Sequence, residues 1–166
     1  MKTQQCVSCG SHEAMHHFSG RTFTVDYKQV AREVHDICGW ECRICGEIEF
    51  DHGTDSAERY SKASDQLLED YALATGAEIK RIRRKLHLTQ KDAVKLLSGG
   101  GHNAFSRYER GEVAPAQSLF VLMRLLDRHP HLMAEVHALS DGADLQQLLS
   151  SRHPERDTED LTYGQK

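Results

Sequence analysis

The chain has 166 residues, 39% hydrophobic and 28% charged, with a formal net charge of -4 and a mean hydropathy of -0.60. No apolar run approaches the ~18 residues that a membrane span needs, which excludes a membrane-spanning protein, and the length suits one or two small domains. The opening Met1-Lys2-Thr3-Gln4-Gln5 has no apolar stretch behind the lysine, so the expectation is a cytoplasmic protein without a secretory signal.

Charge is spread unevenly. Residues 1–66 carry 7 Lys and Arg against 11 Asp and Glu, residues 67–139 carry 11 against 8, and residues 140–166 carry 3 against 6. Net charge sets long-range attraction, so an acidic head, a basic middle and an acidic tail point to different partners, with the basic segment the candidate nucleic-acid binder.

All five cysteines lie in the first 45 residues, four of them in two Cys-x-x-Cys pairs, Cys6/Cys9 and Cys42/Cys45. Each pair offers two thiolates from one tight turn, and Gly10 and Gly46 follow directly, supplying backbone freedom where the chain curls round an ion. The spacing predicts one structural Zn2+ held by four thiolates, with no open position for activating water. Iron fits the same four sulfurs. A redox dithiol would want a single pair beside a βαβ pattern, and disulfides are disfavoured in a reducing compartment. Cys38 is left over; it reads as a small buried residue near the site, with a spare ligand or reactive thiol as the alternative.

Between the two pairs, Phe18, Phe23, Val25, Tyr27, Val30, Val34 and Ile37 alternate in part and predict short strands, with Ser19-Gly20 as a turn between two of them. A module of about 50 residues is too small to rely on its apolar core alone, so metal is expected to staple it. Trp40 is expected to pack beside the second pair.

From Asp51 to Gly76 the composition turns polar, with Thr54 as a candidate helix cap and Leu67, Leu68, Tyr71 and Leu73 as a weak stripe, a helical linker that Gly76 punctuates. Beyond it, Ile79, Ile82 and Leu86 share one face of a helix whose other positions are Lys80, Arg81, Arg83, Arg84 and Lys85. Thr89 to Asp92 fits a capping box opening a short helix with Ala93, Leu96 and Leu97 inward. Ser98 to Gly101 reads as a tight turn, and His102 to Arg110 as a second helix closed by Gly111, with Phe105 and Tyr108 inward. Helix, glycine turn, helix is the arrangement that places the start of a second helix in a major groove. After Pro115 come an apolar helix carrying Leu119, Leu122, Met123, Leu125 and Leu126 and a last one carrying Leu132, Val136 and Leu139, which completes the bundle or forms a dimer seam.

The fold class expected is therefore α+β: a small β-rich zinc-binding domain over residues 1–52, a helical linker over 53–76, an all-α helix–turn–helix domain over 77–139, and an acidic tail over 140–166. The tail composition predicts disorder, an interaction segment being the alternative. No nucleophile with its base, open metal position or phosphate-cradling loop stands out, and Gly99-Gly100-Gly101 lacks the Lys-Ser/Thr of a P-loop, so the chain does not read as an enzyme.

Residues 79–136, with Leu88-Thr89-Gln90 and then Phe105-Ser106-Arg107-Tyr108-Glu109-Arg110-Gly111, resemble the helix–turn–helix domain of the Xre/Cro superfamily. The Gly-rich approach to Asn103-Ala104-Phe105, Leu125-Leu126-Asp127-Arg128-His129-Pro130 and the paired cysteines narrow this: residues 6–136 resemble the MqsA (YgiT-type) antitoxin family. The resemblance implies zinc on Cys6, Cys9, Cys42 and Cys45, a homodimer formed through the C-terminal domain, binding to a palindromic operator that represses the chain's own operon, and neutralisation of an MqsR-like mRNA-cleaving toxin by the N-terminal domain. Carried over by position, Asn103 and Arg107 match the family's base readers. They stand four residues apart on one helix face, and Asn suits the edge of adenine while Arg suits that of guanine; a helix cap and a surface cation are the plainer alternative. Gln90, Lys91, Ser106 and Arg84 are candidates for phosphate contacts. About 30 residues after Val136 run past the family's usual end. The alternative function is a stand-alone zinc-containing Xre-family repressor with no toxin partner.

Overall fold

The computed structural model describes residues 3–98 and 100–152. Its N-terminal half is an antiparallel four-stranded meander, β1 (Thr3–Gln4), β2 (Met15–Tyr27), β3 (Val30–Cys42) and β4 (Ile48–Phe50), in that order across the sheet. Side chains alternate across a strand, so Phe23, Val25 and Tyr27 share one face. Val25, Val34 and Ile37 are buried there against Leu67, with Tyr60, Phe50 and Ala63 around them.

Ser19-Gly20 is not a turn. β2 runs straight through it, and the pairing with β3 slips on either side of Arg21, with Gly20 at φ 66°. A residue at positive φ serves a bulge as well as a turn, and here the long hairpin absorbs it as a bulge. The reversal comes at Lys28-Gln29, where Tyr27 pairs with Val30.

One helix, α1 (Ser56–Lys85), spans 30 residues and about 45 Å. It starts after Asp55; the Thr54 hydroxyl accepts the Ser56 N–H at 3.3 Å, one position earlier than a cap would sit. Leu67 faces the sheet, while Leu68 and Leu73 stay exposed. The break expected at Gly76 is absent. A Cβ there would lie 2.0 Å from the Tyr108 carbonyl oxygen, so this glycine permits a close helix crossing and does not end the helix.

α1 leads into α2 (Gln90–Ala93), which continues as a π turn (Val94–Ser98), then α3 (Ala104–Glu109), α4 (Gln117–Arg128), a 3-10 turn (Pro130–Leu132), α5 (Met133–Ser140) and α6 (Ala143–Arg152). Thr89 and Asp92 form the expected capping box. The turn expected at Ser98 to Gly101 includes Gly99, which lies outside the described residues. The second core holds Ile79, Ile82, Leu88, Ala93, Phe105, Leu119 and Met123. α6 lies in the segment expected to be disordered. Its Leu- and Gln-rich sequence has high helix propensity, which outweighs the acidic average of the tail. The remainder of that tail, 153–166, lies outside the described residues.

α1 is the shared spine: its first half covers the sheet and its second half builds the helical core. The hairpin tip reaches the helical half directly. Lys28 Nζ donates to the Pro115 carbonyl at 3.0 Å and lies 4.8 Å from the Tyr71 ring centroid, and the Tyr71 hydroxyl meets Gln117 at 3.4 Å. Arg32 on β3 pairs with Asp70 on α1 at 2.6 Å.

Candidate functional site

Two sites emerge, one in each half. Cys6 follows β1, and Cys42 ends β3 opposite Met15 on β2, so the sheet brings the two cysteine turns together. The turns have the same internal bonding. In each, the first cysteine's N–H donates five residues ahead, Cys6 to the Ser11 carbonyl at 3.0 Å and Cys42 to that of Glu47 at 2.8 Å. In each, the glycine N–H donates back to that cysteine's carbonyl, Gly10 to Cys6 and Gly46 to Cys42, with φ of 72° and 75° that favour glycine.

The four sulfurs lie within 4.8 Å of one another, with Cys6–Cys45 and Cys9–Cys42 separations of 3.7 Å. A tetrahedral zinc with bonds of about 2.3 Å sets sulfur–sulfur distances of roughly 3.8 Å, so the geometry fits one Zn2+ with no open position. Hydrogen bonds from Ser11 hold the Cys9 thiol down at about 6. At Cys45 a backbone hydrogen bond from Glu47 works downward, but desolvation and the three neighbouring sulfurs outweigh it and push the thiol up to about 12. Four thiolates this close need a cation, and a bound Zn2+ would supply that charge. Cys6 and Cys42 are buried with Ala14 and Met15, and Trp40 packs on them with the His17 ring 5.1 Å away. Cys38 is outside the cluster; its N–H donates to the Ser56 hydroxyl at 2.9 Å, tying β3 to the start of α1.

The second site is the exposed face of α2 and α3. Asn103 precedes α3 and makes no capping bond with its side chain, which instead lies 3.2 Å from His102 Nδ1. Arg107 is exposed one turn later, its Nε 3.5 Å from Glu112. Glu112 also takes Arg110 at 2.6 Å, and Arg110 in turn donates to the Ser106 hydroxyl. Lys91 and Arg84 are exposed, and among the described residues neither side chain has a hydrogen bond or ion pair. Gln90 is turned inward, donating to Glu109 at 2.9 Å.

Behind this face, Arg83 of α1 forks onto Glu109 of α3, with Nε at 2.5 Å and Nη2 at 3.1 Å, and donates to the Leu88 carbonyl at 2.7 Å. Burial opposes a charge on Glu109, but the bonds from Arg83 and Gln90 win and hold its carboxyl below the usual range. Arg81 and Lys85 pair with Asp127 of α4 at 2.6 and 2.7 Å and depress it to about 2. Three of the five cations expected to decorate α1 are thus structural. Apart from Glu78, which Arg81 also grips at 2.8 Å within α1, the partners lie 26 to 46 residues away, which is why sequence reading missed them. Glu112 was also missed; the only signal is an acid two residues after a basic helix end.

The sequence model of a family described as the antitoxin component of the bacterial toxin–antitoxin system, MqsA, matches residues 4–137. The chain belongs to the MqsA antitoxin family. Antitoxin MqsA of Escherichia coli (strain K12) is 52% identical over 58 residues, which cover 35% of this chain and 44% of that protein. The chain therefore matches less than half of that relative's length. Members are regulatory proteins and not enzymes, and the four-cysteine cluster of this member is a metal centre of the kind its family implies. Among the described residues no helix is long and apolar enough to cross a membrane.

Proposed function

We propose that this family member is the antitoxin of a toxin–antitoxin pair that binds an MqsR-like mRNA-cleaving toxin through its zinc-stapled N-terminal domain and represses its own operon through its helix–turn–helix domain. The observation that carries the DNA reading is the exposure of Asn103, just before α3, and Arg107, one turn later on it, with α3 locked against α1 by Arg83 and Glu109. In this reading Asn103 and Arg107 meet base edges. Lys91 and Arg84 contact phosphates, Ser106 sits at the same face, and Gln90 acts by holding Glu109. A homodimer joined through the C-terminal domain would place two such helices on a palindrome. A ribonuclease attracts polyanionic RNA with a basic face, so residues 1–66, with net charge -4, make an electrostatically matched lid.

Growth rescue tests the toxin claim: the full chain co-expressed with the product of an adjacent small gene is expected to restore growth, and a neighbour that is not toxic would leave a stand-alone repressor. Operator titration tests the DNA claim. Arg107→Ala is expected to cost about 1–3 kcal/mol and relax specificity at one base pair, whereas Arg84→Ala weakens all sequences alike. An unchanged footprint in both variants overturns the docking.

A further inference from the structure

The C-terminal end of α3 sets an acid into a basic face. Asn103, Ser106, Arg107 and Arg110 stand at i, i+3, i+4 and i+7 through α3 and its two caps, and so line one side of the helix. Glu112 pairs with two of them, Arg110 Nε at 2.6 Å and Arg107 Nε at 3.5 Å. The backbone fixes its place. Gly111 turns at φ 70°, its N–H donates to the Tyr108 carbonyl at 2.9 Å, and the Glu112 N–H donates to the Arg107 carbonyl at 3.0 Å. These two bonds are the Schellman end of a helix, which sets the residue after the glycine beside the one five positions earlier, commonly as an apolar contact. Here the residues so paired are Glu112 and Arg107. Arg110 first, and then Arg107, hold the Glu112 carboxyl below the usual range, so it is an anion at neutral pH.

We propose that Glu112 is a specificity-determining residue for DNA, which positions Arg107 for a guanine edge and repels phosphates, so that duplexes lacking the right base are held weakly. This rests on the DNA reading of the proposed function. The carboxylate meets Arg107 at Nε, and among the described residues the terminal amino groups of Arg107 make no hydrogen bond. Two such donors are what the O6 and N7 atoms of guanine require, so Arg107 keeps Glu112 while it reads a base. On a mismatched sequence Arg107 and Arg110 fall back on phosphates, and there the anion fixed beside them opposes the contact. Discrimination is a difference of affinities, which a repulsive group widens. Arg110 braces the same frame, because its Nη1 donates to the Ser106 hydroxyl.

Fluorescence anisotropy on the full-length protein tests this. Two duplexes of equal length are titrated over a salt series, one from the region upstream of the chain's own gene and one scrambled. The proteins are the native chain, Glu112→Gln, Glu112→Asp, Arg107→Ala and the double variant Arg107→Ala/Glu112→Gln. Glu112 is 45% exposed and belongs to none of the buried cores, and thermal melting confirms that each variant is folded. Glu112→Gln is expected to tighten binding to the scrambled duplex and to cut the preference for the upstream duplex about tenfold. Its log–log salt slope on scrambled DNA is expected to steepen by about 1, the mark of one further phosphate contact. Glu112→Asp, which keeps the charge, is expected to keep the native slope. In the Arg107→Ala background the Gln substitution is expected to change the preference much less. An unchanged preference or an unchanged slope in Glu112→Gln overturns the proposal, as does an equal effect in both backgrounds, in which case Glu112 acts without Arg107. A native chain that binds both duplexes alike overturns the DNA reading itself, and this inference with it.

Discussion

The two halves of the molecule are held by different physics. The zinc half has a thin core: Cys6, Ala14, Met15 and Cys42 form one cluster, and the other, around Val25, Val34 and Ile37, is completed by Leu67 from α1. The helical half has a continuous apolar core of seven buried residues, ringed by ion pairs that join α1 to α3 and to α4. One half is built round a four-cysteine cluster and a borrowed helix, while the other has an apolar core of its own.

The strongest way to break the comparison is to remove the metal. Structural tetrathiolate zinc contributes binding free energy on the order of 10 kcal/mol to folding. Chelation, or Cys42→Ser, is expected to unfold residues around the two cysteine turns. Trp40 fluorescence should change fully while most of the helical signal at 222 nm remains. Loss of the whole helical signal would show that the two halves are one cooperative unit.

Next in size is the Arg83–Glu109 pair, whose side chains are only 11% and 5% exposed. Glu109→Ala leaves the guanidinium without its carboxylate and is expected to cost about 3 kcal/mol. Urea denaturation of the helical signal checks it, with the zinc module's transition unmoved. An equal shift in both transitions would erase the distinction between the halves.

Acid gives a smaller, graded effect. Arg81 first, and then Lys85, hold the folded Asp127 at about 2 against an ordinary 3.8, so its contribution is complete above pH 3.8 and is lost as pH falls toward 2. Glu109 acts in the same direction below its ordinary 4.5. The midpoint of the helical transition is expected to fall between pH 4 and pH 2, and less steeply in Asp127→Asn. A slope unchanged by that substitution would mean the Arg81 and Lys85 pairs contribute nothing.

The smallest expected effect concerns the clasp between the halves. Lys28→Ala removes the bond to the Pro115 carbonyl and the contact with Tyr71, and is expected to cost about 1 kcal/mol. It should also raise hydrogen exchange at the Lys28 and Gln117 ends without changing the zinc site. No change in exchange at either end would mean the hairpin tip is not a clasp.

Much of this was legible in residue order. The paired Cys-x-x-Cys turns, the capping box at Thr89 and Asp92, and the inward placement of Ile79, Ile82 and Phe105 all depend on spacings of a few residues, which the sequence displays directly. Glycine was read less well. Gly20 and Gly76 both looked like punctuation, yet one sits in a bulge within β2 and the other in the middle of α1. The same residue permits a turn, a bulge or a close crossing, and only the neighbour in space selects among them. Acidic composition likewise hid α6, because an average over the tail conceals a short run of good helix formers.

The sequence by itself determined the four-cysteine cluster, the Thr89–Asp92 capping box and the family, because each rests on local spacing of distinctive residue types. Tertiary structure decided which cations of α1 are tied to acids on later helices and which are left unpaired among the described residues. Arg83 is largely buried on Glu109 of α3, and Arg81 and Lys85, exposed themselves, pair with Asp127 of α4, Arg81 also with Glu78 of α1, while Arg84, between two of them in sequence, has no ion pair among the described residues. Helical rotation of about 100° per residue separates such neighbours onto different faces, and what each face meets depends on elements that the chain contributes dozens of residues later.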